Sequence, residues 1–502
     1  MKQSVYYWLG FLLYSVAVIG IGFYVWWRDK KLGKSQDNQA YWEASRNLSA
    51  WSVGLSISAS MMSVSWSSVY GVQLFYWYGI GGGWLLIFPW LLTMAGFFVF
   101  APLFRKFKVF SQPQLLSKRF GPATGRLLAP TLILVFLTWA GAEIYAAGIL
   151  IAPFLHLSLP KTLLLITVVV AIYSYSGGFE AVVSTDKIQF ALVAIFISVI
   201  AFLGWNALPA DAVLWQTPLP PKAEQGSQLI FSPGWVLILL TFVAYLPGWI
   251  VETDVWIRLQ AARSNREARK GIAIAGINSA IFVGFLPFVI GASALVLFPP
   301  INGQAPAEIQ DGALIFTVFM QKYAPLWLNL ALSVGLIAAA MSTIDTCGNV
   351  AALSFSHDLL EPVLRKRWPA GRINTFARWS SVGAIFLAFV YALFTNSLWD
   401  IFYLSSGLLT TTVFIPVVSS FLKSTRSAQV NLSIVFGFVF TLLFYFLESR
   451  QVLTAFEPAA VARTGLGYIL WGLLMAMAGF GIGKLDSFFP SKTKKSYKFF
   501  EN

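Results

Sequence analysis

Charge is what this 502-residue chain has least of: Asp, Glu, Lys and Arg make up 11% of it, against about a quarter of an ordinary soluble domain. With 57% of the residues hydrophobic and 16% aromatic, there is too little polar surface to cover a soluble globule. Cysteine is almost absent, and the single Cys347 excludes an internal disulfide and any thiolate metal cluster. The two histidines, His156 and His357, lie far apart near the ends of apolar runs, which leaves no metal pair. Nucleotide chemistry is missing too, since GFGIGK near the C-terminus has neither the spacing nor the Ser/Thr of a Walker A loop. Nothing marks an enzyme, and no soluble ATPase domain is visible. A transporter built this way must run on an ion gradient.

What is present is apolar sequence in runs of about 20 residues, each long enough to cross about 30 Å of hydrocarbon as a helix. The chain reads as an all-α polytopic membrane protein with thirteen spans, near 5–27, 50–77, 83–104, 126–153, 161–175, 183–204, 235–256, 270–298, 325–352, 378–396, 399–421, 430–447 and 465–483. The first is a membrane helix and not a signal peptide, because Arg28, Lys30, Lys31 and Lys34 follow its apolar run instead of preceding it. Threading the spans with the N-terminus outside puts RDKKLGK, RKFKVFSQPQLLSKR, RLQAARSNREARK, RKRWPAGR and KTKKSYK on one side, which collects all but six of the 35 Lys and Arg. The positive-inside rule then puts the C-terminus in the cytoplasm of a plasma-membrane protein. The net charge of +14 is mostly topology, with no nucleic-acid partner, and the basic tail 484–502 reads as a lipid-surface anchor.

Setting aside the helix at 5–27 and the two at 430–483 leaves two sets of five, 50–204 and 235–421. An odd number inverts the second set, as an inverted repeat requires, and such repeats hold their solute where the first helix of each set is broken. Both first helices look broken. LSISASMMSVSWSS carries Ser56, Ser58, Ser60, Ser63, Ser65, Ser67 and Ser68, and YLPGWIVETD carries Pro247-Gly248 in mid-span.

The run LWLNLALSVGLIAAA is interrupted by MSTIDT, where Ser342, Thr343, Asp345 and Thr346 share one stripe of a helix. Hydroxyls in apolar helices most often bond their own carbonyls, but a carboxylate at that depth must face a partner, water or an ion. A hard cation such as Na⁺ takes hydroxyl and carbonyl oxygens, and an unwound helix supplies the carbonyls. The mid-depth charges are all acids, Glu143, Glu252, Asp254 and Asp345, with Asp186 near the cytoplasmic end and no deep Lys or Arg expected. Aromatic residues at the same depth, Trp66, Trp139, Tyr145 and Trp249, suit an ammonium cage or a sugar ring.

These residues resemble the sodium:solute symporter family over nearly the whole chain. YSYSGGFEAVVSTDKIQ (173–189) is similar to that family's Y-GGF-AV-TD-Q signature, AAMST (339–343) to its A-x-M-S-[ST] run, and Arg46-Asn47-Leu48 more loosely to the entry of its first core helix. The resemblance implies the five-plus-five fold of leucine transporters and alternating access driven by sodium, the coupling ion. It also implies a sodium site made by the carbonyls of Ala59, Met62 and Ala339 and the hydroxyls of Ser342 and Thr343. Asp186 matches an acid that joins a further sodium site in some members, so Asp186 and Asp345 are expected to hold a second cation or a proton. Met61 replaces the acid of proline-type members, and Trp139 and Glu143 stand where sialic-acid-type members carry an arginine. YLSSGLLTTTVFIP resembles choline-type members in part. The expected function is sodium-coupled import of a small neutral, zwitterionic or cationic solute recognised by Ser63, Trp66, Glu143, Trp249 and Glu252. A sugar symporter is the alternative within transport, and a membrane solute sensor or channel the alternative outside it.

Overall fold

The structure, a computed structural model, describes residues 2–31, 46–214, 217–365 and 367–485. The tail expected as a lipid anchor lies, from residue 486 on, outside the described residues, as do the side chains of Tyr173, Ser184 and 176–181 in the signature stretch. Helix accounts for nearly all of the rest, with two isolated bridges and no strand among the described residues. That is the arrangement an apolar solvent enforces, because a helix satisfies its backbone donors and acceptors within itself.

After α1 (Lys2–Lys31), the helix expected over 50–77 is split. Its first half, α2 (Ala50–Met61), starts on the Ser49 side-chain cap and stops at Met62; Ser63 is extended. A π-wound segment, Val64–Gly71, then leads into α3 (Val72–Tyr78). The chain reverses at Gly79, whose φ of +56° suits a residue without a Cβ. Helix α4 (Ile87–Lys106) returns Arg105 to the start of α2, where it donates to Ala262 O at 2.7 Å beside the Leu48 N to Ala261 O bond of 3.0 Å. The first set continues with α5 (Gln112–Phe120), α6 (Pro122–Leu155) and α7 (Leu159–Asn206).

The second set opens on another split helix, α8 (Trp235–Trp249) and α9 (Thr253–Ala261). It continues through α10 (Asn265–Ser279), α11 (Leu286–Leu297), α12 (Ile315–Tyr323), α13 (Leu326–Leu353), α14 (Ala370–Phe394), α15 (Leu398–Leu408) and α16 (Ile415–Ser420). The last two, α17 (Ser427–Ser449) and α18 (Gly467–Leu485), pack along each other.

Among the described residues eleven helices are long and apolar enough to span a membrane, against thirteen spans expected. The difference has two causes. The turn between the second and third expected spans is itself helical, Gly79–Leu85, so Val64–Lys106 runs on without a coil. The spans at 161–175 and 183–204 join in the single 48-residue α7, whose first apolar part, Leu159–Ile172, is short for a crossing. Gly177-Gly178 lowers helix propensity there, but glycine keeps its backbone donor and α7 has no interior proline to break it.

Helix α13 is the axis of the molecule, with every residue from Gly335 to Leu353 buried, and it packs on α6, α7, α14 and α2. The outward faces carry Leu9, Leu13, Val16, Leu239, Phe285 and Phe394, each more than half exposed in this lipid-free structure. So much contiguous apolar surface belongs against lipid.

Candidate functional site

The break in the first split helix has an identifiable cause. Glu143, fully buried on α6, accepts from Val64 N at 2.7 Å and Ser65 N at 2.9 Å, one amide on each carboxylate oxygen. Ser63 Oγ takes the next amide, Trp66 N, at 2.8 Å. In a continuous helix those three amides would serve the carbonyls of Ser60, Met61 and Met62. Diverted to side chains, they leave these carbonyls without helical partners.

Helix α13 meets that helix end. Ser342 Oγ lies 2.8 Å from Ala339 O and 3.4 Å from Ala59 O, and Thr343 Oγ1 donates to Ser60 O at 3.2 Å. Of the five oxygens expected around sodium, three converge on one point, those of Ala59, Ala339 and Ser342. Thr343 faces the adjacent carbonyl of Ser60, and the fully buried Met62 stands at the turn with its carbonyl released. A hard monovalent cation fits a dry cluster of carbonyls and hydroxyls freed from a helix ladder.

In the second split helix, the hydroxyl of Thr410 is inserted into the ladder just after Pro247. It accepts from Gly248 N at 2.9 Å and donates to Ala244 O at 2.7 Å, bridging the two groups. A Cβ on Gly248 would lie 2.7 Å from Thr410 N, so only glycine permits this approach. Glu252 follows at the N-cap of α9, 1% exposed, with no hydrogen-bond partner for either carboxylate oxygen.

The expectation of no deep basic residue is corrected by Arg258, which is 1% exposed. Its guanidinium donates to Ser56 Oγ at 2.7 Å, to Thr346 Oγ1 at 3.1 Å, to Asp186 Oδ2 at 3.2 Å, and to Asp254 Oδ1. Asp186 also accepts from Ser56, and Asp254 from Ser60 Oγ at 3.0 Å. Of the two acids expected at a second cation, Asp186 has a tethered cation in Arg258, and Asp345 is buried on α13. Arg258 reads as loop because RLQAARSNREARK looks continuous, but α9 resumes at Thr253 and carries it inward.

Between the two breaks lies a cavity of about 60 Å³ lined by Trp66, Trp90, Trp139, Trp249, Phe136 and Phe402, with Glu252, Ser63, Thr343 and Cys347 among them. Trp66 stands edge-on to Trp249 (5.3 Å, 83°) and to Phe402 (4.7 Å, 78°). The indole N–H groups of Trp139, Trp249 and Trp90 are bound to Ser405, Ser406 and Ser279 at 2.6, 3.0 and 3.1 Å. Ser405 and Ser406 thus orient the box. Of the expected solute residues, Ser63, Trp66, Trp249 and Glu252 line the cavity. Glu143 does not; both its oxygens are occupied at the helix break. Sequence reasoning missed Trp90, Phe136 and Phe402, ordinary core residues by type, and Cys347, whose lone thiol excludes a disulfide but says nothing of a cavity wall.

Beyond Trp66, Tyr70, Trp399 and Trp77 continue the aromatic ladder, with ring centroids 6.3 and 6.2 Å apart in succession. It ends at a basin of about 570 Å³ whose wall includes Tyr145 and the loop residue Lys222. Lys222 Nζ sits 3.1 Å above the Trp77 ring and 3.1 Å from Asp311 Oδ2, while Trp77 Nε1 donates to Asp311 at 2.9 Å. Burial lowers the affinity of the Lys222 amine for its proton and Asp311 opposes that in part. Under the cavity floor stands the Arg258 cluster, with Asp254 on both sides of it.

A sequence model of the sodium:solute symporter family matches residues 41–429. The chain is 27% identical over 413 residues to a sodium/glucose cotransporter of Vibrio parahaemolyticus, covering 76% of this chain and 74% of that protein. It is 23% identical over 417 residues to a sodium/sialic acid symporter of Aliivibrio fischeri, covering 79% of each. Its fold is similar to a solved Na⁺-coupled sialic acid symporter in a substrate-bound, outward-open state, with a TM-score of 0.69 at 17% identity over 96% of this chain and 98% of the other.

Proposed function

Because the chain belongs to the sodium:solute symporter family, we propose that its aromatic cavity carries a small polar organic solute into the cytoplasm, coupled to sodium bound at the neighbouring helix break. The observation that carries this reading is the meeting of α2 and α13, where the Ala59 and Ala339 carbonyls share the Ser342 hydroxyl beside a cavity that Thr343 also lines. Sodium drawn to that cluster would fix the end of α2 against α13. Since Ser60 belongs to both the helix end and the Asp254–Arg258 cluster, the ion site and the inner floor of the cavity share one residue. That is a physical link between ion binding and closure of the inner side. Met62 completes the proposed set of ligands, and Trp66, Trp249, Ser63 and Glu252 face the solute.

The test is transport in sealed vesicles containing the purified chain. An inward sodium gradient is expected to drive accumulation of at least one solute from a panel of sugars, amino acids, amines and vitamins. Ser342→Ala should raise the sodium concentration for half-maximal uptake by about tenfold, the equivalent of one lost oxygen contact of about 1.4 kcal/mol. Accumulation that ignores the sodium gradient would overturn the coupling.

A further inference from the structure

We propose that the solute of this site is a small organic cation, an ammonium bearing no carboxylate, with Glu252 as its counterion and Trp66, Trp139 and Trp249 as its cage; this rests on the symporter reading above. The first observation is Glu252 itself. A buried carboxylate without a hydrogen bond is costly in a medium of low dielectric, and it needs a cation or a proton. It faces the cavity, and no Lys or Arg lines that cavity. The guanidinium of Arg258, below the floor, is directed at Asp186, Asp254, Ser56 and Thr346.

The second observation concerns the places where an anion would bind. In a fold with split helices, the N-terminus of each second half offers its amides and dipole to an anionic group. At the first these amides are taken, and at the second one of the protein's own carboxylates already stands at the helix end without bonding its amides. Glu143 occupies the amides of Val64 and Ser65, Ser63 that of Trp66, and Glu252 is the N-cap of α9. A solute carboxylate would find no basic side chain on the cavity wall, and would meet the Glu252 carboxylate at the N-terminus of α9 instead. Amino acids and betaines are disfavoured for that reason, although they carry an ammonium.

The third is the wall. The indole N–H groups of Trp139 and Trp249 are already bound, to Ser405 and to the lining residue Ser406, so these rings have their carbon surfaces left for the solute. A sugar needs hydrogen-bond partners in many directions, whereas an alkylammonium needs π faces and one carboxylate.

The experiment uses the full chain in detergent or nanodiscs and follows tryptophan fluorescence and thermal unfolding in sodium or potassium buffer. The probes are choline, tetramethylammonium, the neutral carbon analogue 3,3-dimethylbutan-1-ol, glycine betaine and glucose. Choline or tetramethylammonium is expected to bind in sodium at least about tenfold more tightly than the neutral analogue or the betaine. Glu252→Gln should weaken ammonium binding by about tenfold or more, and Glu252→Asp should retain most of it. The proposal is overturned if the neutral analogue or glucose binds as tightly as the ammonium probes, if neither ammonium probe binds, or if Glu252→Gln binds like the parent. Should Glu252→Gln not fold, the comparison of charged and neutral probes on the parent protein decides. If sodium by itself fails to stabilise the parent protein relative to potassium, the symporter reading fails; if sodium stabilises it but glucose binds and the ammonium probes do not, the cation assignment alone fails.

Discussion

Arg258 and Glu143 illustrate how buried charge is handled one residue at a time. Arg258 is surrounded by two carboxylates and two hydroxyls, so removing it leaves Asp186 and Asp254 buried without a cation. We expect Arg258→Met to lower stability by about 3–5 kcal/mol, the usual cost of breaking a buried pair from one side, visible as earlier thermal unfolding of the purified protein. Adding Asp186→Asn should recover part of that loss, and a double variant no more stable than Arg258→Met would show that the two groups are not coupled. Glu143 works in the opposite sense, since it binds no charged side chain but two backbone amides. Charge-assisted hydrogen bonds of this kind contribute about 1.5–3 kcal/mol each. These roles could not be read from the sequence, in which Glu143 and Glu252 look equivalent: two acids in apolar spans. Only their partners distinguish them.

The split helices are the elements on which the proposed function depends. The first is kept open from a distance, because the amides that would close it are held by Glu143 on α6. Glu143→Ala should let the Val64 and Ser65 amides seek the carbonyls of Ser60 and Met61, and raise the sodium requirement of uptake without changing any residue of the ion cluster. Sodium titration of uptake checks this, and an unchanged half-saturation point would argue against the link. The second split helix depends on close packing: Thr410 enters its ladder from the π-wound segment Leu409–Phe414, which α17 supports from behind. A Cβ on Gly437 would lie 2.3 Å from the Thr411 carbonyl, whereas one on Gly383 meets nothing within 4 Å. Gly437→Ala should therefore cost about 1–3 kcal/mol by overpacking and impair transport, while Gly383→Ala should do neither; melting curves and uptake rates separate the two. Both breaks were legible as breaks from their serines and from Pro247-Gly248. What holds them open was not, because the holding groups lie on other helices.

At the scale of the whole molecule, the asymmetry of basic residues predicts an orientation with the loop of Lys222 outside and the α9–α10 connection inside. In a background of Cys347→Ala, a membrane-impermeant maleimide should label Gln225→Cys in intact cells and Arg266→Cys only after permeabilisation; the reverse pattern would invert the topology. The chain by itself determined the solvent it lives in, its helical class, the two broken helices and the need for an ion gradient, and it singled out Ser342 and Thr343 as the hydroxyls proposed to face the ion. Hydropathy, turn chemistry and residue spacing are local properties, and a linear chain displays them directly. The tertiary structure decided which acid answers to which partner. Glu143 meets amides 78 and 79 positions away, Asp186 meets an arginine 72 positions away, and Glu252 is left facing a cavity of indole rings. A buried charge takes its meaning from whatever the packing of distant helices brings within about 3 Å of it, and sequence spacing carries no record of that distance.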